Sequence, residues 1–135
     1  MDTNSNLSQS ISNPLTGILC TKSMSLGLHL DPSHFNNVTK EDAHTWRIVF
    51  GMVIILDTCF SLENGLPFSL NLKYSDTDIF LSKSKDGENP NDLFRSNYMK
   101  FVFLTRDIMD YIFIIKNTNN NVRYNTYNDY YYNDN

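Results

Sequence analysis

The chain has 135 residues, a formal net charge of −4, and 41% hydrophobic against 19% charged residues. That length suits one domain, with about 100 residues able to pack between two polar tails. The acidic balance, with Lys and Arg scattered and no groove-sized basic run, argues against a stand-alone nucleic-acid binder.

Residues 1–14 are rich in Ser and Asn, and Asp2 is their only charge. They lack the basic start and apolar stretch of a signal peptide and read as a disordered leader. From Leu15, the positions Leu15, Ile18, Leu19, Leu26 and Leu28 give a short helix with an apolar face, broken near Gly27. Lys22 and Ser23 interrupt its period. Asp31, Pro32 and Ser33 then turn the chain, because proline disfavours helix at the residue before it. Residues 33–38 read as a loop.

Thr39 opens a second helix. Asp42 follows three residues later, so the Thr39 oxygen is placed to accept the Asp42 backbone N–H in a capping-box-like start. Glu41 and Asp42 put negative charge at the positive end of the helix dipole. Trp46, Val49, Phe50, Val53, Leu56 and Phe60 make one apolar stripe, and Ile48, Met52, Ile55 and Cys59 a second beside it. Apolar residues nearly all round predict burial on most sides. Gly65 and Pro67 stop the helix. The longest unbroken apolar run, residues 48–56, is about half the ~20 residues a bilayer span needs, so a soluble, intracellular chain is expected.

Residues 68–92 are polar and irregular, with Leu70, Leu72, Ile79 and Leu81 as anchoring points. The alternation over 69–74 permits a short strand, although a docked loop fits better. Pro90, Asn91 and Asp92 open a third helix that runs to about Lys116, with Phe94, Tyr98, Val102, Thr105, Ile108, Met109 and Ile112 on one face. Lys116 suits its negative end. Residues 117–135 are dominated by Asn and Tyr and read as a disordered tail, either unselected or weakly self-associating through Tyr130, Tyr131 and Tyr132. The expected organisation is therefore all-α, with a leader over 1–14, a helical body over 15–116 and a tail over 117–135.

The candidate sites give no chemistry. His29, His34 and His44 lack a metal-site spacing, and no Cys lies near enough in sequence to complete a set. His29 reads instead as a helix-end residue whose imidazole bonds a terminal carbonyl or Asp31. Ser61 lies four residues after Asp57 on one helical face with no nucleophile elbow, so its hydroxyl caps or packs. Cys20 and Cys59 sit among apolar neighbours and read as buried free thiols. A disulfide is not expected without a secretory signal. Gly51 and Gly65 form no phosphate cradle. No catalysis, metal or cofactor is expected. Asp57 has two readings: it faces solvent at a helix flank, or it is buried against Arg47, Lys22 or a backbone nest in the 65–70 loop. A buried carboxylate without a partner costs several kcal/mol.

A spaced set of residues runs through this body. It begins Ser25, Leu26, Gly27, Leu28, His29, Leu30, Asp31, Pro32, crosses the apolar helix to Leu56 and Asp57, and closes with Ser61, Gly65, Leu66 and Pro67. The order resembles the regulatory middle region of fungal binuclear zinc-cluster transcription factors. There the pattern is roughly "LGLHRD", an acidic-arginine helix start, an apolar run into "LD", then "S" and "GRP". The resemblance covers residues 18–81. Gly27, Leu28, His29 and Asp31 hold their places while Leu30 replaces the basic residue. Leu56, Asp57, Ser61, Gly65 and Pro67 match, and Leu66 stands for the arginine. Of the "E-x-R-R-R" start only Arg47 survives, and the following "W/F-W" becomes Phe50 and Gly51.

The resemblance implies a helical fragment of a regulatory domain that acts in the nucleus on RNA polymerase II transcription, through protein contacts or effector response. It implies protein partners, a paralogous regulator or a second copy, and no membrane. With two cysteines the chain cannot build a six-cysteine cluster. Zinc and DNA contact would then belong to a full-length member, and this chain to a truncated or divergent one. The lost arginines weaken the case for an ion-pair network linking the second helix to its neighbours. Three helices are also too few to cover that helix, so a large exposed apolar patch, oligomerisation or a partly molten state is expected. The competing reading is a small helical interaction module unrelated to transcription.

Overall fold

A computed structural model describes residues 3–81 and 89–132, with side chains described over residues 14–81 and 89–115. Three α-helices carry the fold: α1 Thr3–Ser25, α2 Lys40–Asn64 and α3 Pro90–Tyr132. Short 3-10 turns occur at Pro32–His34 and Leu72–Tyr74. Among the described residues there is no strand, so the class is all-α. The stretch that permitted a strand is the second 3-10 turn, started by the Asn71 side chain accepting the Lys73 N–H at 3.1 Å. The chain divides into two compact units, Met1–Val102 and Phe103–Asn135, with the division inside α3.

The helix ends follow local chemistry. Thr39 Oγ1 accepts the Asp42 N–H at 3.1 Å and donates to the Asp42 carboxylate at 2.8 Å. Both α1 and α2 end on a left-handed glycine, Gly27 at φ +78° and Gly65 at φ +63°. In each case the residue after the glycine reaches back five positions, Leu28 N–H to the Ser23 carbonyl and Leu66 N–H to the Ser61 carbonyl, both at 3.0 Å. This is the Schellman closure, and a β-carbon at either position would strain it. Pro90 begins α3 at the position where a missing N–H costs nothing.

Two boundaries differ from expectation. The α1 helix starts at Thr3, ahead of Leu15, and α3 continues past Lys116 to Tyr132. The reason is that Ser and Asn lower helix propensity by fractions of a kcal/mol each, whereas only Pro and Gly break the ladder strongly. Residues 117–132 contain neither, and Pro14 within α1 removes one hydrogen bond. Lys116 is therefore not at a helix end. Its side chain, those of the tail tyrosines, and residues 82–88 lie outside the described residues.

The core of the first unit is built on α2. Phe50, Val53 and Ile54 are buried, with Cys20 from α1, Leu70, Ile79 and Leu81 from the connecting segment, and Met99 and Val102 from α3. Each fully buried large side chain contributes about 1.5–3 kcal/mol. Leu81 takes φ +55°, a left-handed conformation costly for a branched side chain, as it buries its side chain.

The buried face of α2 matches the expected stripes only in part. Phe50, Val53, Ile54, Asp57, Thr58 and Ser61 face inward, while Val49, Met52 and Leu56 stay about half exposed and Cys59 is exposed. A helix apolar on all sides gives no periodic preference, so hydrogen bonding by its polar residues decides which face turns in. On α3, Val102 and Met109 of the expected face are buried, and so is Met99, which lies outside it, whereas Phe94 and Tyr98 of that face are exposed. By length and composition α2 is apolar enough to cross a membrane, a property hidden when only the unbroken run is counted. Here its polar residues Asp57, Thr58 and Ser61 are all buried within the fold.

Candidate functional site

The motif residues gather around two buried carboxylates. Asp31, 1% exposed, sits in the α1–α2 connection. Its Oδ1 accepts the Ser33 N–H at 3.0 Å and Arg47 Nη2 at 2.8 Å, and its Oδ2 accepts Arg47 Nε at 3.0 Å and the Asp78 N–H at 2.9 Å. Two parallel bonds from one guanidinium make this a fork-to-fork pair. The Arg47 guanidinium holds the Asp31 carboxyl well below the usual carboxylate range, against desolvation acting upward, and Asp31 in turn raises Arg47. An ion pair from α2 to its neighbours is therefore kept. One surviving arginine suffices, because its planar fork supplies both donors.

The preceding motif residues act through their backbones. The Leu28 carbonyl accepts Thr77 Oγ1–H at 2.7 Å and Trp46 Nε1–H at 3.2 Å. The His29 carbonyl accepts the Asp76 N–H and the Ser75 hydroxyl, each at 3.0 Å. The Asp31 N–H donates to Asp76 Oδ1 at 2.8 Å. The α1 terminus is therefore clasped between α2 and residues 75–78.

Asp57 is fully buried, which rules out its solvent-facing reading. Its carboxylate accepts the Ser69 N–H at 2.9 Å and the Leu70 N–H at 3.1 Å, so the backbone nest in the 65–70 loop is present while Arg47 is engaged elsewhere. Ser61 caps: its hydroxyl donates to the Pro67 carbonyl at 3.3 Å, and its carbonyl receives the Gly65 N–H. Leu56, about half exposed, takes no part in this cluster.

The histidines do not converge. His34 Nε2 meets Asp76 Oδ2 at the surface, and His44 Nε2 lies 3.4 Å from Asp92 Oδ1. His29 does not make the side-chain bond expected of it. Its Nδ1 is buried with no hydrogen-bond partner among the described residues, and its carbonyl carries the contacts instead. Among the described residues no three His, Cys, Asp or Glu side chains are grouped to hold a metal.

Beside this framework lies a groove of about 440 Å³ within the first unit, between α2 and the first turns of α3. Gly51, Met52 and Ile55 from α2 and Phe94 and Met99 from α3 give it apolar walls. Its polar lining comes from Arg47, Asn91, Arg95 and Tyr98. Sequence reasoning missed it: Met52 and Ile55 looked like a second core stripe. The signal available was Gly51, a glycine in the middle of an otherwise apolar helix.

No curated protein and no solved structure matches the chain. The family model of the fungal specific transcription factor domain matches residues 2–126, spanning leader, body and part of the tail. The chain belongs to the fungal specific transcription factor domain family, and its role is in transcription regulation.

Proposed function

We propose that the chain is a regulatory region that modulates RNA polymerase II transcription in the nucleus, through protein contacts or effector response, without touching DNA itself. The observation that carries this reading is the family match over residues 2–126. The groove beside Arg47 supports an effector response, since binding sites favour concave, mostly apolar surfaces with a few polar groups. The half-exposed Val49, Met52 and Leu56 on α2 support protein contacts, with a paralogous regulator or a second copy as partner. The acidic net charge and the scattered basic residues support the lack of DNA contact, and no enzymatic role is assigned. Zinc would enter only through a separate cluster domain of a full-length member.

The test is a reporter assay with the full chain fused to a foreign DNA-binding domain. A regulatory region shifts reporter output relative to the DNA-binding domain alone. Output unchanged at matched protein levels would leave the chain as a helical interaction module outside transcription.

A further inference from the structure

The groove contains a residue that core packing does not require. Gly51 is buried in mid-α2, yet a β-carbon there would meet only Met99 Sδ, at 3.7 Å, an ordinary van der Waals contact. Alanine would fit and would favour the helix. The glycine instead keeps the groove deep on that side. The walls around it are adaptable, because the thioethers of Met52 and Met99 reshape easily around a guest. Met52 and Phe94 remain exposed at 52% and 70%.

The polar lining decides the sign of the guest. Among the described residues Arg47 and Arg95 are its charged members, and no carboxylate is among those that line it. Arg47 is already matched by Asp31 through two bonds. Arg95 is held differently: its Nη1 reaches Asp92 by one contact of 3.3 Å, and Asp92 also faces His44. The Arg95 side chain is 47% exposed and is free to turn toward a ligand without breaking a buried pair. The neighbouring Asn91 adds an amide.

We propose that this groove binds a small anionic amphiphile of the carboxylate class, its apolar body lying over Gly51 and Met52 and its head group at Arg95. A volume of about 440 Å³ falls in the range of small-molecule sites, roughly 300–1,000 Å³. The inference rests on the regulatory reading only for its consequence, that occupancy alters transcription.

Decanoate, decylammonium and 1-decanol titrated into the full chain, followed by calorimetry and by the Gly51 and Met99 NMR signals, test it. Decanoate should saturate one site, shift both signals and bind about tenfold tighter than decylammonium. Arg95→Gln should reduce decanoate to the affinity of 1-decanol, leaving 1-decanol unchanged. Gly51→Leu should weaken decanoate by more than about tenfold, as a pocket filled by several carbons requires. Should that variant fail to fold, Gly51→Ala, which favours the helix, should still weaken binding severalfold. Decylammonium binding as tightly as decanoate, or unchanged affinity in the Gly51 variants, would overturn the proposal. The fused reporter separates the two readings. Reporter activity without decanoate binding leaves the regulatory role standing and sinks the site. Saturable binding with a silent reporter keeps the site and sinks the role.

Discussion

Asp31 and Asp57 are both buried in one small unit, and each fastens part of the segment after α2 to the helices. Asp31 meets a guanidinium and the backbone N–H groups of Ser33 and Asp78. Asp57 meets the backbone N–H groups of Ser69 and Leu70. The two solutions constrain sequence differently. At Asp31 the partner is itself a side chain, so either Asp31 or Arg47 can destroy the site. At Asp57 the donors from positions 69 and 70 belong to the main chain, so any residue but proline there supplies them.

The largest effect should come from breaking the Asp31 pair. Asp31→Ala or Arg47→Ala leaves the other charge buried without its partner, which costs about 3–5 kcal/mol. Urea unfolding followed by circular dichroism measures it. The double variant should lose less than the sum of the two single changes, because the stranded charge is gone. The pair also sets a pH dependence. Asp31 is depressed in the folded state, so its stabilisation is fully present above the unfolded carboxylate pKa of about 3.9 and is lost progressively as pH falls below it. Asp31→Asn should flatten that acid limb. An unchanged limb would mean that other carboxylates govern acid unfolding.

Asp57 should respond less steeply to a conservative change. Asp57→Asn keeps one carbonyl oxygen for a backbone donor and loses charge-assisted bonding to the other, for a cost of about 1.5–3 kcal/mol. Asp57→Ala should cost more, since both N–H groups then lack this acceptor. Amide exchange at Ser69 and Leu70 should accelerate in either variant while the Asp78 amide stays protected. Equal acceleration at all three would show that the two anchors are one cooperative unit, and the contrast between them would fail.

That contrast also explains what the sequence made legible. The Thr39 cap, the glycine closures at Gly27 and Gly65 and the start at Pro90 depend on neighbours within a few residues, and all are readable. The nest for Asp57 was among the partners expected because a buried carboxylate needs donors, and the next loop is the nearest source. The Arg47 pairing was not readable, since it joins residues 16 apart across a turn whose path the chain alone does not show. The inward face of α2 is legible only in part, at Phe50 and Val53, for a related reason. Apolar stripes on every side carry no direction, whereas Asp57, Thr58 and Ser61 mark the buried face through their bonds. The groove depends on how α2 meets the start of α3, and only Gly51 hinted at it.

The smallest effect tests whether the surface extends the Asp31 anchor. His34 and Asp76 are both more than half exposed, and their pair lies one bond outside Asp31, because Asp76 Oδ1 takes the Asp31 N–H while Oδ2 faces His34. Asp76 is depressed, first by His34 and then by that backbone N–H, so its contribution too is present above the unfolded carboxylate pKa and lost as pH falls. Solvent and salt screen such a pair to about 0–1 kcal/mol. His34→Gln should therefore lower stability only slightly, and the difference should vanish at high salt. Asp76→Ala should cost more and keep that cost in salt, since it takes an acceptor from the part-buried N–H of Asp31. Equal, salt-sensitive losses in both variants would place Asp76 in a surface ion pair and confine the anchor to the contacts of the Asp31 carboxylate.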